Sequence, residues 1–373
     1  MKNHIKNFLC GGAVCILLAW TVYTIFSEQT PGQLAAALLS ANGRVLLLGL
    51  PLMALFICCE AAATHSILRA LGCPQPFRRC AYYSCTGFFF STITPSATGG
   101  QPAQIVAMGK DGVPTASGAL DMLLVTIGYN TAAMGWGIFA LVTAGGLTER
   151  LGGRVGLLLG VGLAVFALID AAMFLFLFLP GPAKRLLYAC IGLAVKVRPS
   201  MDRAALESKA DAHIAEYRRG AQLIRKAPGL LVRVLGLSAL QLACSYIMPY
   251  VVYRSFGLSG YSLGQVFALQ ALCAIAVGYL PLPGSAGAAE NVFLRGFLLI
   301  FGETLVAPAM ILSRTLSCYL VLAATALILA VGRAVRKRAK SSPPVPEKAA
   351  DERGCAPLSK RAAPPVGGYA DRT

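Results

Sequence analysis

Few residues in this 373-residue chain have the type and spacing for covalent chemistry. His4, His65 and His213 are its only histidines, and none has a Ser, Cys or Asp placed with it as a nucleophile–base pair. No P-loop is present, so ATP is not expected to drive the protein unaided. The twelve cysteines are scattered, mostly through apolar stretches, without a CxxC pair or a Cys/His cluster. Buried free thiols acting as small hydrophobes account for them, and neither a metal nor another cofactor is expected. No catalytic residue is assigned. What stands out instead is a set of ionisable groups inside apolar sequence: Glu60, Asp121, Asp170, Glu290 and Arg314. Such groups are expensive in a membrane and mark functional sites unless they merely pair to fix helix packing.

A second feature is polar rather than charged. Residues 91–104 read STITPSATGGQPAQ, between the apolar run 87–90 and a long apolar segment that follows Gly112. A weaker counterpart, YLPLPGSAGAAE, occupies 279–290. Backbone this irregular cannot face lipid, where its N–H and C=O groups would lack partners, so it must be walled by protein or line a wet cavity. The pair Gly99 and Gly100 is a poor phosphate signal alone, and a bend between two half-helices explains it better. Thr94, Thr98, Gly99, Gly100, Gln101 and Gln104, together with Asp121, Glu290 and Arg314, form the candidate substrate-binding set.

The elements that must position these residues are membrane spans. Hydrophobic residues make up 56% of the chain and charged ones 13%, against about 25% charged in soluble domains. Mean hydropathy is +0.66. The net charge of +17 fits basic cytoplasmic loops better than nucleic-acid binding, because no basic stretch is interleaved with stacking aromatics. Full spans are expected near 8–26, 44–71, 115–145, 155–179, 229–253 and 304–332. Residues 82–108 and 262–300 are apolar but broken, and the leading part of the first, to Thr94, falls short of the about 20 residues a span needs.

Charge parity decides what the broken segments do. Residues 181–228 carry ten Lys/Arg against four Asp/Glu, with Ala210, Ile214, Tyr217, Ala221 and Ile224 at helical spacing. A basic amphipathic helix on an anionic leaflet explains that composition, and a solvated connector explains it as well. Were 82–108 a full crossing, this basic interlude would lie outside, against the positive-inside tendency. The expected fold is therefore an all-α polytopic membrane protein with about six full spans and two oppositely oriented re-entrant hairpins. The transmembrane domain is 1–332, with inverted-repeat halves at 44–145 and 229–332. Both termini are cytoplasmic, and 333–373 reads as a basic, disordered cytoplasmic tail.

Residues 93–104 (ITPSATGGQPAQ), the segment 281–290 (PLPGSAGAAE) and Arg314 resemble the flippase-like family named for the membrane region of lysylphosphatidylglycerol synthase. The resemblance covers about residues 5–335. It implies a bacterial plasma-membrane protein that handles anionic or aminoacylated phospholipid, in lipid metabolism linked to antimicrobial peptide resistance. It also implies that Glu290 and Arg314 match polar positions on which the family depends, with Asp121 a looser match. Full-length members add a cytoplasmic domain that transfers lysine from lysyl-tRNA to phosphatidylglycerol, whereas the largest polar pieces here are 181–228 and the tail. Three activities therefore stand as expectations: translocation of phospholipid between leaflets, phosphatidylglycerol lysyltransfer alone or with a partner, and small-solute transport. The implied partners are membrane phospholipid and the anionic leaflet surface, with no nucleic acid except lysyl-tRNA under the second reading. A homo-oligomer is compatible with the sequence.

Overall fold

The computed structural model describes residues 31–94, 97–143, 153–178, 226–278 and 288–341, with isolated positions between 181 and 225. The expected first span at 8–26, the core of the second broken motif at 279–287 and the tail beyond Ser341 lie outside these residues. The described chain is helical, without a strand among the described residues. The helices are α1 (Pro31–Ser40), α2 (Gly43–Leu46), α3 (Gly49–Ala70), α4 (Phe77–Ile93), α5 (Gly100–Lys110), α6 (Thr115–Thr143) and α7 (Gly153–Phe178). After the basic interlude come α8 (Pro228–Tyr246), α9 (Met248–Ser255), α10 (Leu263–Val277), α11 (Ala288–Arg314) and α12 (Leu320–Ser341), with a π-helical turn at Thr315–Tyr319.

Four apolar stretches among the described residues are long enough to cross a bilayer: Gly43–Ala70, Thr115–Thr143, Pro228–Ser255 and Ala289–Ala334. Their outer faces carry exposed Leu48, Leu50, Ile138, Val142, Val232, Leu327 and Val331. In water such faces would be a liability, whereas in hydrocarbon they match the solvent. The protein is an all-α polytopic membrane protein.

Local signals set the element ends. The Asn42 side chain accepts from the Arg44 N–H at 3.0 Å and opens α2. Ser262 and Gln265 form a reciprocal capping box that starts α10. Pro228 stands at the start of α8, where its missing N–H is no loss. Gly302, at φ 72° and ψ 170°, interrupts α11 and separates a short arm from the long helical stretch that continues into α12.

The sequence between Phe77 and Lys110 folds as a helical hairpin, α4 against α5. Their 17 and 11 residues each fall short of the about 20 needed to span. Beyond α10, with 15 residues, the α11 arm before Gly302 is likewise short. Contacts recur in a reciprocal pattern: α3 lies along α8, α4 packs on α12, and α10 packs on α6. An aromatic column of Phe293, Phe297 and Phe301 anchors the α11 arm, with Phe293 and Phe297 stacked at 4.2 Å between ring centroids.

In the basic interlude, the described Ile214 and Ala221 are buried while Asp211, Arg218 and Arg225 are exposed. Ala221 packs into the cluster formed by Ile67, Leu124 and Val234. Cys73 is disulfide-bonded, which corrects the expectation of free thiols at that position. Cys59, Cys80, Cys85 and Cys244 are free and buried, as expected.

The hairpin closes through glycines. A Cβ on Gly100 would stand 2.7 Å from the Gly87 carbonyl oxygen, and one on Gly87 would collide with the Gln104 amide. Gly100→Val will therefore destabilise the purified protein by about 1–3 kcal/mol, seen as a lower unfolding temperature. Gly109→Ala on the same helix, where a Cβ meets open space, will not lower it.

Candidate functional site

Three amide–carboxylate and amide–hydroxyl bonds fasten the hairpin to its walls. Gln101 Nε2 donates to Thr126 Oγ1 on α6 at 2.6 Å. Gln104 Nε2 donates to Glu60 Oε1 on α3 at 3.0 Å. From the other side Gln241 Nε2, on α8, donates to Glu60 Oε2 at 3.1 Å. One carboxylate thus joins three helices, with both oxygens engaged by buried amides. Charge-assisted bonds of this kind are about twice as strong as neutral ones.

The tip of the hairpin is stitched locally. Thr94 Oγ1 donates to the Phe90 carbonyl at 2.6 Å and accepts from the Gly99 N–H at 2.9 Å. Ala97 adopts φ 55°, left-handed backbone that a residue with a side chain rarely takes, and Ser91 Oγ bonds its carbonyl at 3.4 Å. Such strain persists only where the surroundings enforce it.

These elements enclose a cavity of about 530 Å³. Ala97, Gln101 and Gln104 line it from the hairpin, Glu60 from α3, Thr126, Tyr129 and Asn130 from α6, and Gln241 and Tyr246 from α8. Gln270 and Cys273 contribute from α10, and Ser313, Arg314 and Ser317 from the last span. The volume falls in the usual range of ligand sites, about 300–1,000 Å³.

On the far wall Arg314 Nε pairs with Glu290 Oε1 at 3.0 Å. Glu290 sits in the first turn of α11, where a carboxylate suits the positive helix end. Arg314 directly precedes the π-helical turn Thr315–Tyr319, and turns of that kind cluster at functional sites. Arg314 Nη2 is buried without a hydrogen-bond partner among the described residues, and so are Gln104 Oε1 and Gln270 Oε1. Arg314, Gln104 and Gln270, which all line the cavity, thus each carry one polar atom without a partner among the described residues.

Of the sequence-derived set, Gln101, Gln104 and Arg314 line the cavity, and Glu290 stands behind Arg314 as its ion-pair partner. Thr94 and Gly99 shape the hairpin tip, and Gly100 forms the contact between its arms. Thr98 lies in the same tip outside the lining. Asp121 does not reach the cavity: it is fully buried beside Thr64 and Cys80 where α3, α4 and α6 meet. Glu60 carried a sequence signal as a mid-span carboxylate, but its partner Gln241 lies 181 residues away and had none. Gln270, Tyr129 and Tyr246 sit singly in apolar helices and leave no pattern to read.

Residues 8–325 match the family described as the lysylphosphatidylglycerol synthase TM region. A UPF0104 membrane protein of Archaeoglobus fulgidus is 24% identical over 290 residues, a stretch that covers 74% of this chain and 83% of that protein.

The shared carboxylate makes a specific prediction. Gln104→Leu and Gln241→Leu will each destabilise by about 1.5–3 kcal/mol, measured by equilibrium unfolding in mixed micelles. Because both amides serve Glu60, the double substitution will depart from the sum of the two singles. Strict additivity would show that the bonds are independent.

Proposed function

Because the chain belongs to the lysylphosphatidylglycerol synthase TM-region family, we propose that it carries phospholipid headgroups, anionic or aminoacylated, through this cavity from one leaflet to the other. The observation that carries the reading is Arg314: a cavity-lining guanidinium held through Nε by Glu290, whose Nη2 has no hydrogen-bond partner among the described residues, in a cavity that amide side chains also line. Arginine is the side chain best matched to phosphate oxygens, and an unpaired buried donor is costly until something accepts from it. Glu60 supplies a negative group on the opposite wall for an amine-bearing headgroup. The acyl chains would stay in lipid against the exposed leucines and valines of the outer faces.

Alternating access would use two halves, 44–145 and 229–332, each read as span, hairpin, span. The reciprocal packing of α4 on α12 and α10 on α6 supports an inverted repeat. Oppositely oriented re-entrant hairpins also keep the ten Lys/Arg of 181–228 and both termini on the cytoplasmic side of a bacterial plasma membrane.

Reconstituted vesicles with headgroup-labelled phosphatidylglycerol or its lysyl ester test the proposal through leaflet-specific quenching. Wild-type protein will accelerate exchange between leaflets. Arg314→Ala will slow it by about 10-fold to 150-fold, the equivalent of one charged hydrogen bond. Unchanged exchange in that variant contradicts the role of Arg314. No acceleration by the wild type, with lysyl-lipid formed from labelled lysyl-tRNA or a soluble ion taken up, replaces translocation by lysyltransfer or solute transport.

A further inference from the structure

A second polar site lies one helical turn from the cavity and does not belong to it. Asp121 is 0% exposed, and neither of its carboxylate oxygens has a hydrogen bond of ordinary geometry among the described residues. Two hydroxyls share its surroundings. Thr64 of α3 lies beside it, and Ser117 stands one turn earlier on α6, on the same helix face.

Those hydroxyls behave unlike several other helical hydroxyls among the described residues. Ser66, Thr86, Thr92, Thr126 and Ser317 all donate to the carbonyl four residues earlier, at 2.7–2.8 Å. Thr131 gives its proton to Asp170. Thr64 and Ser117 do neither among the described residues, although both are 0% exposed. Two helical hydroxyls released from their own backbone beside one bare carboxylate make an oxygen-lined site, not a packing accident.

We propose that Asp121, Thr64 and Ser117 bind a sodium ion. A carboxylate buried without a counter-charge is among the most expensive arrangements in a protein. Water could bond the oxygens but brings no charge. A proton would neutralise the carboxylate and leave the two turned hydroxyls without purpose. A hard monovalent cation uses all of them, since it is held by carboxylate and hydroxyl oxygens, and ions of this kind often sit beside substrate at the centre of transporter folds. The site communicates with the cavity through α3: Thr64 is one turn from Glu60, and Ser84 and Cys85 lie against Glu60. Sodium at Asp121 would thus bias the carboxylate that ties the hairpin to α3 and α8. The inference goes beyond lipid translocation and does not require it.

The test reads ion binding rather than transport. Full-length protein in detergent is melted in sodium, potassium or choline chloride at constant ionic strength, and ²²Na⁺ binding is counted directly. Sodium alone will raise the melting temperature and bind saturably. Asp121→Asn will abolish both effects. Thr64→Val will raise the half-saturating sodium concentration by about tenfold or more, as for loss of a metal-site partner. Ser117→Ala, the mildest change, decides the matter if Asp121→Asn does not fold, because it must also weaken sodium binding. Equal stabilisation by all three salts, a response to pH alone, or unaltered binding in Asp121→Asn overturns the proposal.

Discussion

The carboxylate of Glu60, held between the amides of Gln104 and Gln241, is the interaction on which the architecture turns. A helix hairpin of 17 and 11 residues cannot span and cannot leave its tip in lipid. It needs walls, and the walls here are α3, α6 and α8. Gln101 and Gln104 reach two of them directly, and Glu60 passes the tie to the third. The broken backbone is tolerated because it is fastened at both faces, and the space left between hairpin and walls is the cavity.

The opposite side of that space is built on different logic. There the chain is nearly continuous from Glu303 to Ser341, but its regularity is spoiled where it matters. Pro308 sits inside the helix, and the π-helical turn begins at Thr315. Each removes or displaces backbone bonds that a straight helix would keep. Arg314 stands between them, ion-paired to Glu290 through Nε, while its Nη2 has no partner among the described residues. A neutral pair would be structural glue; a pair with a spare donor can hold an anion without losing its internal partner.

Much of this was legible in the chain. Span limits follow from apolar length, and Gly43–Ala70 and Thr115–Thr143 lie within a few residues of the expected 44–71 and 115–145. The hairpin was readable because Gly, Pro and amides are so costly in lipid that they demand a cavity. Arg314 and Glu290 were readable for the same reason. Direction along a helix was not. Asp121 sits about two turns into α6, like a cavity residue, yet its face turns toward α3 and α4. Gln241 and Gln270 have no local signature, because their meaning depends on partners or space supplied by distant helices. The Cys73 disulfide was hidden too, since sequence gives no pairing distance.

On this reading a lipid headgroup enters the space between the hairpin and Arg314, which photocrosslinking in nanodiscs can detect with phospholipids that carry the reactive group either on the headgroup or near the end of an acyl chain. Headgroup probes should mark Ala97, Gln101, Ser313 or Ser317, and acyl probes the outer faces of α3 and α12. Headgroup labels confined to the periphery, with none on the cavity lining, would contradict it.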